Sequence, residues 1–145
     1  MTGEDAPANK EYVLEGFAVP DQLDAVHALL AQAADEHSRL DPMDVMLFET
    51  AIIEIANNVV EYGRPEGEVR WKFTIRVREN EIEAELDDTG QTFTPEQGKA
   101  MPGEDAEGGR GLPIAEALLD RIEFKRMNET NHWRMVRRLG QAPRG

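Results

Sequence analysis

The stretch IIEIANNVVEYG, Ile52 to Gly63, sets Glu54, Asn57, Asn58 and Glu61 among aliphatic residues. Read as a helix, it puts Glu54 and Asn58 one turn apart, with Glu61 three residues on, so all three project from one side and Asn57 sits beside them. An unpaired carboxylate buried there would be costly or would take up a proton, so this side must meet solvent, a partner or a polar ligand. The wet face of an ordinary amphipathic helix satisfies the same pattern. A second candidate is DDTG, where Asp88 and Gly90 close a strand. An aspartate there can accept a hydrogen bond from an exocyclic amine, and a glycine leaves clearance beside a flat base. A plain β-turn would carry the same letters. The third is Gly108, Gly109, Arg110, Gly111 and Leu112, directly before a helix. Glycines there let backbone N–H groups turn towards phosphate oxygens, and the helix N-terminus favours negative charge. The cluster is not a P-loop, having no Gly-Lys-Ser/Thr. It is not a dinucleotide fingerprint either, because the preceding strand and the spacing are missing.

These residues need elements to hold them. Asp41 followed by Pro42 is a helix start signal, and the helix should run to about Tyr62, with Gly63 as its cap. Met46, Phe48, Ala51, Ile52, Ile55, Ala56 and Val59 would be its buried side. Before it, Tyr12 to Val19 reads as a strand ended by Pro20, and Asp21 to about Ser38 as a helix. After the turn at 64–68 comes the clearest strand pattern: Val69, Trp71, Phe73, Ile75 and Val77 alternate with Arg70, Lys72, Thr74, Arg76 and Arg78. IEAELD follows, with Ile82, Ala84 and Leu86 on one side and Glu81, Glu83, Glu85 and Asp87 on the other. A basic row opposite an acidic row fits an antiparallel hairpin with one solvated face. Residues 88–111 hold six glycines and two prolines without periodicity, which suggests a mobile functional loop or mere disorder. GLPIAEALLD then reads as a short helix, and IEFKRM and HWRMVRRL as closing strands around a turn at Asn128 to Asn131. The expected fold is an α/β two-layer sandwich with a mainly antiparallel, mixed sheet and helices on one face.

The chain has 145 residues, enough for one domain with a real core. That domain should span 11–140, between flexible tails at 1–10 and 141–145. The net charge is -13; with seven basic and two acidic residues from Arg121 onward (+5), the first 120 residues carry -18. Such a balance disfavours general nucleic-acid binding. The basic end could meet a phosphate or an acidic partner, or simply flank and solvate a strand. There is no cysteine, no export signal at the start and no segment apolar enough for a membrane, so a soluble cytoplasmic protein is expected. Three scattered histidines offer no transition-metal cluster, and His27 and His37 should face solvent from a helix.

Taken in order, EIANNVVEYG, DDTGQTF and EGGRGLPI resemble the N-box and the two glycine boxes of the GHKL superfamily, the Bergerat-fold ATPases that include histidine kinases. More closely, the chain looks like the small bacterial anti-sigma factors that are serine-protein kinases, from about Tyr12 to Leu139. The resemblance implies ATP and Mg²⁺ as cofactors. It makes Glu54 the general base and Asn58 the Mg²⁺ ligand. Asp88 would hold the adenine amino group, Gly90 would line the adenine side, and Gly109 and Gly111 would support the phosphates. Residues 93–109 would be the ATP lid. Arg110 could reach phosphate, point to a partner or pair with loop carboxylates. The implied partners are an anti-anti-sigma protein of the STAS type and a sigma factor, with homodimerisation. A partner-switching role that activates a PP2C-type phosphatase and a non-catalytic interaction module are the alternatives. Two departures stand out: Glu61 and Tyr62 replace a histidine and a small residue, and Thr130 is misplaced for the usual threonine near the phosphates, leaving Asn131 or His132 to substitute.

Overall fold

The computed structural model describes residues 10–65, 67–90 and 111–140. Strand β1 is Glu11–Phe17, followed by a 3₁₀ turn at Pro20–Gln22 and helices α1 (Leu23–Asp35) and α2 (Pro42–Tyr62). Strands β2 (Arg70–Val77) and β3 (Glu81–Asp88) form the hairpin; α3 (Gly111–Leu118), β4 (Arg121–Met127) and β5 (Thr130–Arg138) complete the chain. The sheet order is β1-β2-β3-β5-β4, and every pairing is antiparallel. The expected antiparallel sandwich is found, without a parallel pair among the described residues. No helix among the described residues is long and apolar enough to cross a membrane.

Helix α2 starts as its sequence dictates: Asp41 Oδ1 accepts from the Met43 N–H at 2.9 Å, with Pro42 in the first turn. Gly63 caps its end as expected, its N–H donating to the Val59 carbonyl at 2.8 Å. The cap is extended (φ -68°, ψ 135°), and crowding requires its glycine: a Cβ would lie 2.7 Å from the Val59 carbonyl oxygen. Phe48, Ile52 and Ile55 of α2 pack into the core with Phe73, Ile75, Leu86 and Met135 of the sheet, all fully buried. Each contributes about 1.5–3 kcal/mol relative to exposure. Met46 does not join them. It is 50% exposed, on the helix side shared with Met43 and Thr50. His37 is the opposite correction: it lies beyond the end of α1, only 2% exposed, with Nε2 3.2 Å from the Tyr12 hydroxyl. His27 is exposed and pairs with Glu49.

The charged rows pair as expected, with Lys72 opposite Asp87 and Arg76 opposite Glu83. The face is nevertheless not simply solvated. Glu83 is 1% exposed, covered by arginines of β2, of the turn that follows it and of β5. Arg78 Nη2 donates to Glu83 Oε1 at 2.6 Å, Arg134 donates to Oε2, and Arg76 stands 3.7 Å away. Burial alone would raise the Glu83 pKa, but the bonds and charges of Arg78 and Arg134 outweigh it and hold the carboxyl below its ordinary value. A depressed folded pKa adds stability above the unfolded value that is lost as pH falls through the folded one. Glu83→Gln is therefore expected to cost about 1–3 kcal/mol at neutral pH, with the difference from wild type closing on acidification; denaturant melts across pH check this.

The basic C-terminal end is also tied into the fold. Arg137 donates through Nε to Asp44 Oδ1 at 3.1 Å and through Nη1 to the Leu118 carbonyl at 2.8 Å. One guanidinium thus clasps the start of α2 and the end of α3.

Candidate functional site

Alternation along the strands gives the sheet's helix-covered side a polar row at one end. Asp88 is opposite Trp71 on β2 and Asn131 on β5, and Asn131 is opposite Arg126 on β4. Asp88 is 3% exposed, and its carboxylate is gripped by donors. Oδ1 accepts from the Gly90 N–H at 2.9 Å and from Asn131 Nδ2 at 2.9 Å; Oδ2 accepts from Trp133 Nε1 at 3.3 Å. Burial pushes the Asp88 pKa up, and the bonds from Asn131, Gly90 and Trp133, with the charge of Arg126, only partly offset it. Charged, the carboxylate is acceptor-only, and Oδ2 keeps capacity for a further donor.

The end of α2 comes close to Gly90, the residue beside this carboxylate. A Cβ built on Gly90 would meet Asp88 Oδ1 at 3.1 Å, Val69 Cγ2 at 3.4 Å and the Gly63 Cα at 3.5 Å. Two glycines therefore let the end of β3 and the end of α2 approach. Gly90→Ala should cost about 1–3 kcal/mol by overpacking, read as a lowered melting temperature with the fold kept. Upstream on α2, Asn58 is 8% exposed and Glu54 half-buried, while Asn57 and Glu61 are exposed. Among the described residues, neither Glu54 nor Asn58 is engaged in a side-chain hydrogen bond or ion pair. Trp71, across from Asp88, keeps a buried indole N–H without a partner among the described residues. Helix α3, which begins at Gly111, packs against α2. Asp88, Gly90 and the α2 end are thus brought together. Gly109, Arg110 and the stretch 93–109 lie outside the described residues.

Asn131 and His132 separate cleanly. Asn131 turns to Asp88, whereas His132 Nδ1 lies 2.6 Å from Asp87 Oδ1 on the opposite side of the sheet. Two surface hollows there, of about 430 and 340 Å³, both border Asp87; neither is lined by Glu54, Asn58 or Asp88. Sequence reading missed Arg126, which donates to Asn131 Oδ1 at 2.9 Å and to the Gly90 carbonyl at 3.0 Å. It also missed Trp133 as an Asp88 donor. The available signal was that Asn131, Trp133 and Met135 alternate onto one side of their strand.

The arrangement suits a ligand that offers an amine to a buried carboxylate and its polar end to the side chains of α2. An amide oxygen at Asn58 suits a hard divalent cation that keeps most of its waters.

Comparison with known proteins agrees with this architecture. The model of the histidine kinase-like ATPase domain matches residues 18–137. The crystal structure of the RsbU and RsbW domains of a Mycobacterium tuberculosis protein is similar in fold, with a TM-score of 0.60 at 20% identity, over 91% of this chain and 34% of that one. This chain thus spans about a third of that solved chain. No curated protein matches the sequence. With the family model covering most of its length and the sheet-and-helix frame in place, the chain belongs to the histidine kinase-like ATPase domain family.

Proposed function

We propose that the protein binds ATP with Mg²⁺ and transfers the γ-phosphate to a serine of an anti-anti-sigma partner of the STAS type, as part of a switch that sequesters a sigma factor. The observation that carries this reading is the buried Asp88 carboxylate, fixed by three donors, with Gly90 beside it close to the end of the helix that carries Glu54 and Asn58. Asp88 accepts from the adenine amino group, and Gly90 gives the base room. Asn58 supplies an amide oxygen to the ion, and Gly109, Gly111 and the start of α3 offer backbone N–H groups to the phosphates. Bound with the nucleotide, Mg²⁺ would neutralise phosphate charge. In the transfer, Glu54 takes the proton from the serine hydroxyl as its oxygen bonds to the γ-phosphorus. The bond from that phosphorus to the β–γ bridging oxygen breaks, and ADP leaves.

The partner assignment rests on the resemblance of the three boxes to anti-sigma kinases, and the fold match is consistent with it. Incubation with γ-labelled ATP and candidate STAS proteins tests the whole reading. Label on a partner serine is the expected result. A tight unlabelled complex with a PP2C-type phosphatase would instead identify a nucleotide-dependent switch, and failure of ATP with magnesium to bind at millimolar levels would remove the nucleotide function altogether.

A further inference from the structure

We propose that Arg126 is a positioning residue: it locks the Asn131 side-chain amide so that its N–H, not its oxygen, faces Asp88, and so keeps the carboxylate an acceptor for a ligand amine. Its use for adenine rests on the function proposed above.

The argument is one of polarity. A guanidinium can only donate and does not lose its proton, while an ionised carboxylate can only accept. Asn131 stands between the two on adjacent strands, with Oδ1 2.9 Å from Arg126 Nη1 and Nδ2 2.9 Å from Asp88 Oδ1. Rotating the amide by half a turn would set oxygen against oxygen at Asp88 and donor against donor at Arg126. With Arg126 in place only one orientation is allowed. The same Nη1 also donates to the Gly90 carbonyl at 3.0 Å, and the Gly90 N–H holds Asp88 Oδ1 at 2.9 Å. Arg126 therefore steadies both groups that grip the inner carboxylate oxygen, leaving the other oxygen to Trp133 and the ligand. Among the described groups packed on Asp88, the strand partners Trp71 and Asn131, the Trp133 indole and the Gly90 N–H are neutral, and Arg126 is the cation whose field reaches it.

The test compares wild type with Arg126→Gln and Arg126→Lys in the full chain, with and without ATP. Without ligand, a carboxyl-carbon NMR titration follows Asp88, and side-chain amide signals follow Asn131. In R126Q the Asp88 midpoint should move upward, because a cation favouring the carboxylate is gone, and the Asn131 amide signals should shift. R126K should restore the midpoint but not the amide signals, since the shorter lysine side chain does not carry its ammonium to the place of Nη1, which holds both oxygens. With ATP, R126Q should bind about tenfold more weakly while the maximal transfer rate is kept. An unchanged Asp88 midpoint together with unchanged Asn131 signals in R126Q would overturn the lock. If R126Q loses its folded spectrum, R126K decides on the amide signals alone: a shift supports the lock and no shift overturns it. Failure of wild type to bind ATP would sink the proposed function, and the ligand-free titration would still decide the role of Arg126.

Discussion

Asp88→Asn is expected to weaken ATP binding about a hundredfold while the protein stays folded. The reason is that no orientation of an amide reproduces the carboxylate. If its oxygen takes the inner position, its NH₂ meets the Trp133 N–H and the incoming amine, donor against donor. If it turns round, the NH₂ meets the Gly90 N–H and Asn131 Nδ2, the two bonds of 2.9 Å. Loss of a charged hydrogen bond to the ligand, with one donor left unmatched, is of the order of 2–3 kcal/mol, which sets the hundredfold scale. The pH dependence has a definite sign. Burial holds the Asp88 pKa above its ordinary value, so the folded chain takes up this proton at a higher pH than the unfolded chain does. Across that window stability falls as pH rises, and the variant should lack this slope. Affinity should decline as the carboxylate is protonated on acidification. Calorimetry giving equal affinity for the variant and wild type would remove Asp88 from the adenine role.

The second large effect is on chemistry, not binding. Glu54→Ala should leave ATP affinity within about threefold of wild type yet reduce phosphate transfer by about 10²–10⁴-fold, the usual contribution of a general base. Glu54 is half-buried on α2, one turn before Asn58, and it makes no side-chain ion pair among the described residues. Removing it therefore breaks no structural bond, and the fold should be retained. Single-turnover transfer to the partner serine, measured beside the binding constant, separates the two effects. Transfer at the wild-type rate would exclude Glu54 as the base.

Much of this architecture was legible because its signals are local. The alternation in VRWKFTIRVR and IEAELD predicted the hairpin and a basic row facing an acidic one, which the register realises with Arg76 opposite Glu83. Asp41 and Pro42 marked the start of α2. What escaped depends on neighbours distant in the chain. Nothing near Glu83 reveals that β5 will insert between β3 and β4 and bring Arg134 over it. His37 looked solvent-facing because its cover comes from Tyr12 on β1. Met46 looked buried because the helical period there admits it to either side. For the site, Asp88 and Gly90 could be singled out by residue type, and Asn131 was one of two choices. Arg126 and Trp133 could be assigned only once the strand register was known.

The link between β4 and β5 is a two-residue turn, Asn128 and Glu129, both with positive φ (53° and 63°). This is the tight primed type whose twist suits a hairpin, although glutamate is an unfavourable occupant. Its brevity sets the offset that puts Arg126 across from Asn131. One inserted residue would exchange the sides taken by Arg126 and Lys125, sending the guanidinium to the far side of the sheet and an ammonium to the side of Asn131. Loop length at the molecule's rim is thus as much a determinant of the interior chemistry as any side chain within it.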